Sequence, residues 1–430
     1  MSATTAAPDA PGALAPGAPG APVGIDVPRA PRQEVAARER LLALDVFRGA
    51  TVAGMLLVNN PGSWGAVYPP LLHAPWHGWT PTDLVFPFFL FIVGITTHLS
   101  LDARRARGAS DGALVRKILS RGALIFGFGL FLSAFPLFTW GAIEGNADPS
   151  LLDRVVHRFE HLRIMGVLQR IAVAYVVGAL LTLRTTLRQQ VVVAAALLFG
   201  YWALMTLVPV PDSGTLGGLL LSSPDGNLAA WFDRLVLGTD HLWVGGGNRW
   251  DPEGLLSSIP AAGTVVLGVF AGRWIGAARP LLERIAALFA AGCVAMTLGL
   301  MWHWVFPINK QLWTSSYALF TAGMAAAAIA LCLWVIDERR ITGWTKFFVV
   351  YGVNPMIAFL ASGLVARLVY SMLKVRSGGE TMSVQRWIYE TFYASWLAPR
   401  NASLLFAISF VFLFYLLLSV LHRRRIYFRV

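Results

Sequence analysis

The sequence predicts an all-α polytopic integral membrane protein, with about ten transmembrane helices around a polar cavity. Three observations carry this. The 430 residues are 56% hydrophobic and only 13% charged, whereas a soluble domain carries about 25% charge. Apolar runs of roughly 20 residues recur, the helix length that a bilayer core of ~30 Å requires. Basic residues are rich in every second connecting segment and sparse in the others.

Residues 1–37 contain the stretch APDAPGALAPGAPGAPVG, which has no apolar periodicity. It predicts a disordered cytoplasmic tail. No signal-peptide core is present, so the first apolar segment is expected to be a retained span. Residues 38–430 form the membrane domain. Its spans are expected at about 43–60, 83–101, 121–140, 164–183, 190–208, 257–276, 285–306, 312–336, 346–370 and 402–421. The aromatic-rich stretch at 382–398 reads as interfacial or re-entrant.

With the N-terminus inside, the inner segments hold 22 of the 35 Lys and Arg residues and the outer loops hold ten; Arg48, Arg170 and Arg367 lie within spans. Basic loops resist translocation, so both termini are expected in the cytoplasm. The net charge of +12 is thus a topology signal. Its basic residues are spread over six inner segments instead of one contiguous face, which argues against a nucleic-acid partner. Cys293 and Cys332 both fall in spans without metal-ligand spacing, so no metal is expected.

Charged and polar groups inside spans are costly and tend to be functional. Asp45 and Arg48 are three apart in span one and share a helix face, either as an internal ion pair or as a ligand site for an anion. Asn59 closes the same span, fourteen residues from Asp45 and ~21 Å along a helix. Gln169 and Arg170 sit inside span four, in a hydrogen-bond network or lining a cavity. His73 and His77 lie in a loop before span two. Asp83 follows in TPTD, which reads as a helix cap; a carboxylate there also suits orienting an imidazole. For His77, beside Trp76 and Trp79, interfacial anchoring is the simpler reading. Three more outer motifs follow: DPEGLLSSIPA with Asp251 and Glu253, INKQLWTSSYA with Asn309 and Lys310, and YGVNPMI with Asn354. Pro355 should kink span nine and open space there.

The strings LDVFRG, VNN, HAPWHGWTPTDLVFPFFLFIVG, GVLQRIAVAY, DPEGLLSSIPA, NKQLWTSSYA and YGVNPM occur in this order. Together they resemble the catalytic membrane domain of the heparan-α-glucosaminide N-acetyltransferase family and its bacterial members. The resemblance runs from about residue 40 to the end. It implies acetyl transfer from cytosolic acetyl-CoA to an amino sugar across the membrane, in a bacterial inner membrane, and a homodimer. The family motif His-Ala-x-Trp-x-Gly-x-Thr matches His73, Ala74, Trp76, Gly78 and Thr80, so His73 takes the essential role. Asn59 matches the family's Asn. The catalytic set implied is His73, Asn59 and Asp83. Donor contacts fall to Asp45, Arg48, Gln169 and Arg170, and acceptor contacts to Trp76, Asp251, Glu253, Asn309, Lys310 and Asn354.

That chemistry suits the residues. His73 can act as general base or as a nucleophile forming acetyl-imidazole. Asn59 can donate to the developing oxyanion. A secondary transporter would also use ten spans and a broken helix. That class shows paired interrupted helices in repeated halves, and no second copy of the span-one and span-two motifs is present. O-acylation of an envelope glycan differs only in its acceptor.

Overall fold

The computed structural model describes residues 41–428. The expected tail at 1–37 lies outside the described residues. Fourteen α-helices follow in order: α1 (Leu42–Asn59), α2 (Val85–Arg105), α3 (Asp111–Ala134), α4 (Leu151–Glu160), α5 (Val167–Arg184), α6 (Leu187–Leu207) and α7 (Leu228–Leu237). Then come α8 (Ser258–Ile275), α9 (Leu281–His303), α10 (Ser315–Cys332), α11 (Thr345–Val353), α12 (Pro355–Arg367), α13 (Val384–Tyr389) and α14 (Pro399–Arg423). Strands β1 (Lys374–Ser377) and β2 (Glu380–Ser383) form one antiparallel hairpin. Among the described residues, ten helices are long and apolar enough to cross a membrane. The protein is an all-α polytopic membrane protein.

The expected spans are met with shifted ends. α3 starts at Asp111, about ten residues before the apolar run that marks it, because Ser110 caps its N-terminus. Span nine is broken where Pro355 predicts: α11 ends at Val353, and Asn354 leaves the helical region before α12 begins. The aromatic stretch at 382–398 begins at the end of β2 and holds the six-residue α13 and one π-helical turn, Glu390–Ala394, too short to span.

Burial sorts the helices into two layers. α8 and α10 bury residues on nearly every side, and α1, α2 and α5 are mostly enclosed. α6, α9 and α14 instead turn large apolar side chains outward, including Phe199, Val294 and Phe412. A face of that kind belongs against lipid.

α1 crosses α11 almost backbone to backbone. A Cβ on Gly49 would lie 1.7 Å from the Phe348 carbonyl oxygen, and one on Gly352 would lie 2.0 Å from that of Asp45. The close approach lets Arg48 Nη1 donate to the Gly352 carbonyl at 3.0 Å. Gly→Ala inside a helix ordinarily stabilises by up to about 1 kcal/mol. Here the added methyl meets backbone, so overpacking wins, at about 1–3 kcal/mol. Gly49→Ala should lower the thermal unfolding midpoint of the purified protein; an unchanged or higher midpoint would show that α11 has room to retreat.

Candidate active site

His73 sits in the loop between α1 and α2, with 43% of its side chain exposed. Its Nδ1 lies 2.6 Å from Asp83 Oδ1. The other carboxylate oxygen accepts from the backbone N–H groups of Ala74 (3.0 Å) and Thr80 (2.9 Å) and from Thr80 Oγ1 (3.1 Å). Asp83 therefore caps the helix start and holds the imidazole at once. An acceptor carboxylate at Nδ1 puts the proton there and leaves Nε2 as the accepting nitrogen. Facing Nε2, at 3.4 Å, is Lys310 Nζ. Tyr317, on α10, donates its hydroxyl to the Asp83 carbonyl.

A cavity of about 420 Å³ starts beside His73 and runs between the helices. One stripe of α1 forms its long wall: Arg48, Thr51, Met55, Val58 and Asn59. Arg48 and Asn59 are eleven residues apart on α1, about 16 Å at ~1.5 Å per residue. α5 contributes Leu168, Ile171 and Tyr175, again one helical face. The Asn59 end holds His73, Glu253 and Lys310. The Arg48 end holds Arg104 and Arg121 as well. Arg121 lies 4.9 Å over the Tyr175 ring, and its Nε is buried without a hydrogen-bond partner.

A network of buried charges backs the His73 end. Arg163 donates Nε and Nη2 to Asp251 at 2.8 and 2.6 Å, and Nη2 also reaches Glu253. Burial alone would raise the pKa of Glu253, but Arg163, Lys310 and Arg170 outweigh it and hold the carboxyl low. Burial pushes the Lys310 ammonium down, against the pull of Glu253 and Asp83.

Several expected contacts are placed elsewhere. Arg170 is fully buried away from the cavity; it donates to the Gly254 carbonyl (3.3 Å) and to Ser257, and stacks 5.2 Å from the Trp313 ring. The reason is rotation. Residue 170 is two positions from cavity-facing Leu168, about 200° around the helix. Gln169 faces a second, smaller cavity. Asp45 is buried behind Arg48 at 3.7 Å, so the ion-pair reading holds while Arg48 itself reaches the cavity. Asn354 is buried, donating to the Ile426 carbonyl (3.1 Å) and accepting from Phe428 N–H (3.0 Å), which ties down the chain after α14. Asn309 shapes its own loop, accepting from Leu312 N–H at 2.8 Å. Trp76 donates to the Leu221 carbonyl at 2.8 Å and packs edge-on to Trp250. Asp251 does not line the cavity; its neighbour Glu253 does. His77 is wedged between Ser222 Oγ (3.0 Å) and Asn309 Nδ2 (3.3 Å), and burial followed by the nearby His303 lowers its pKa.

Arg104 and Arg121 escape sequence reasoning because they read as loop charges that set topology. The available signal was the Ser110 cap, which starts α3 early and puts Arg121 ten residues inside it.

The family model described as heparan-alpha-glucosaminide N-acetyltransferase, catalytic, matches residues 40–299, a stretch that includes His73, Asp83, Arg48, Arg121 and Glu253. The chain belongs to this family. It is 30% identical over 383 residues to the Homo sapiens protein named heparan-alpha-glucosaminide N-acetyltransferase, covering 79% of this chain and 55% of that one. The Mus musculus protein of the same name is 29% identical over 374 residues, covering 77% and 54%. The chain thus spans about half the length of these relatives.

In this member of the family, the segment carrying Glu253 is held by Asp233 at the end of the buried network. Asp233 Oδ1 accepts from Leu255 N–H at 2.8 Å, and the carboxyl fills the space beside Gly254. Burial pushes its pKa up to about 7. An acid whose pKa rises on folding binds its proton more tightly in the native state. Its contribution to stability is therefore full below the ordinary carboxylate range and is lost as pH rises through about 7. Asp233→Asn keeps the acceptor oxygen and cannot ionise. Its unfolding midpoint relative to wild type should climb between about pH 4 and pH 7 and then level off. A difference that stays flat with pH would mean that Asp233 ionises normally.

Proposed function

We propose that the chain transfers an acetyl group from acetyl-CoA to the amine of a glucosamine-type amino sugar, with donor and acceptor entering from opposite ends of one cavity. The observation that carries this reading is that cavity itself, which joins three guanidinium groups to a carboxylate-held imidazole. CoA is a polyanion with its thioester at the end of a long arm. Arg48, Arg104 and Arg121 suit its phosphates, since guanidinium groups bind phosphate well. The apolar walls between Val52 and Phe89 suit the arm. The same end carries the excess of basic residues, which supports placing it in the cytoplasm of a bacterial inner membrane.

At the other end the acceptor amine attacks the thioester carbonyl. The C–S bond breaks, the proton lost by the amine passes to His73 Nε2, and His73 delivers it to the departing sulfur, so that CoA leaves as the thiol. In the covalent variant Nε2 attacks first, CoA leaves, and the amine then attacks the acetyl-imidazole. Both routes use the same lone pair, which Asp83 exposes by holding Nδ1–H. Asn59 offers its amide to the developing oxyanion. Lys310 Nζ, 3.4 Å from Nε2, adds a donor beside the reacting nitrogen. Glu253 is placed to take the acceptor's ammonium before it loses its proton.

Two experiments test this reading. In oriented vesicles, acetyl-CoA on the Arg48 side and glucosamine on the other should yield N-acetylglucosamine, with CoA released on the donor side. His73→Ala should cut turnover by at least ~10²-fold, the usual scale of general acid–base help, while His77→Ala costs much less. Product only when both substrates share one face would refute transmembrane transfer, and equal losses in the two variants would remove His73 from the chemistry.

Donor binding gives a further expectation. Arg121→Ala should weaken CoA affinity about tenfold, the equivalent of ~1.4 kcal/mol for a charged contact. Calorimetric titration of the purified variant with CoA measures it directly, and an unchanged affinity would place the phosphates elsewhere.

A further inference from the structure

A second cavity, of about 280 Å³, lies beside the first at the Asn59 end. Met55, Asn59, Val167, Leu168 and Phe359 line both, so the two chambers share a wall. The smaller chamber is bounded by the ends of α1, α3, α5 and α12. At ~30 Å³ per water it has room for about nine waters, roughly the bulk of one sugar ring with a substituent.

Its lining is unlike that of the acetyl-donor channel. Asn60, Ser133, Gln169, Ser362 and Arg367 all face it. Gln169 is only 1% exposed, and its Nε2 has no hydrogen-bond partner. The sequence makes space for this amide: a Cβ on Gly129 would lie 2.3 Å from its Oε1, and one on Gly166 would lie 2.9 Å away. A buried amide donor left without a partner is destabilising. The amide thus borders the chamber with its Nε2 still unpaired. Arg367 adds a cation. Its Nη1 donates to the Gly363 carbonyl at 3.2 Å, and no carboxylate reaches it among the described residues. The other guanidinium in the lining, Arg163, is already matched by Asp251 and Glu253. Arg367 therefore keeps its Nε and Nη2 donors without a carboxylate partner among the described residues, an edge that suits an anion.

We propose that this side chamber is a second ligand subsite, which takes the ring and an anionic substituent of the acceptor: Gln169 and the hydroxyl-bearing side chains bind sugar hydroxyls, and Arg367 binds a phosphate-type group. Asn59, on the shared wall, stands where the ring passes from one chamber to the other. The choice of an amino sugar rests on the acetyl-transfer reading; the chamber and its anion do not.

The test uses the purified full-length chain with glucosamine and glucosamine 6-phosphate as probes. Equilibrium binding without acetyl-CoA is measured first, then transfer. Glucosamine 6-phosphate should bind more tightly than glucosamine. Arg367→Gln should reduce that preference about tenfold, in binding and in the ratio of kcat/KM values. Gln169→Leu should weaken both sugars. A cysteine label keeps the proposal testable if either variant misfolds: with Ala366→Cys, on the chamber wall, glucosamine 6-phosphate should slow maleimide labelling at this position. Equal affinity for the two sugars, or labelling unaffected by the sugar phosphate, would overturn the subsite. Binding and protection without any acetyl transfer would leave the subsite standing and defeat the acetyltransferase reading instead.

Discussion

The Asp83 carboxylate sits at the start of α2 and accepts four hydrogen bonds, from His73, Ala74 and two atoms of Thr80. It is almost fully buried, at 1% exposure. Burying a carboxylate costs several kcal/mol unless its lone pairs are satisfied. Here they are, and each donor comes from a part of the site that must be fixed: the imidazole, the loop behind it, and the helix entry. Tyr317 adds a bond from α10 to the same residue's carbonyl. The loop carrying His73 thus cannot shift without exposing or orphaning this carboxylate. The position of the imidazole at the cavity mouth, the direction of its Nε2 lone pair and the start of span two are one event.

The opposite wall depends on a second group of buried charges, arranged so that no ion is left alone. Arg163 neutralises Asp251 and Glu253. Arg170 lies next to them, supported by the Gly254 carbonyl, Ser257 and the Trp313 ring. Asp233, whose raised pKa keeps it near neutral, fixes Leu255. These residues hold the DPEG segment rigid, so that Glu253 alone of them projects into the large cavity. A polar site in an apolar bundle needs this backing, because water is not at hand to satisfy what the protein leaves open.

The fold and the central dyad were readable from local sequence. Hydrophobic length marks a span whatever surrounds it, and Pro355 breaks a helix for reasons internal to the backbone. The TPTD cap also worked locally, although reading it as either a cap or a partner for His73 set apart two roles that one carboxylate fills together. One wall of the large cavity was legible too, since Arg48 and Asn59 mark the two ends of the same helix. Less was legible in span four. Gln169 and Arg170 are equally improbable in a membrane, yet one faces a cavity and the other is sealed against the Gly254 carbonyl, the Ser257 hydroxyl and a Trp ring. Asn354 looked like a ligand contact beside a kink and instead binds the chain end at Ile426 and Phe428.

By itself the sequence determined the all-α membrane class, the ten spans and their basic asymmetry, the break at Pro355 and the pairing of a loop histidine with a capping aspartate. Each follows from interactions within a few residues or from the length of an apolar run. Only the tertiary structure decided which polar groups meet. Arg48, Arg104 and Arg121 come from three different helices, and Lys310 reaches His73 across 237 residues of chain. That outcome depends on how far each helix is rotated about its axis, and rotation is set by the packing of neighbours, as where Gly49 and Gly352 bring α1 against α11. A rotation of one residue, about 100°, moves a side chain from cavity to core, and nothing in the local sequence encodes it.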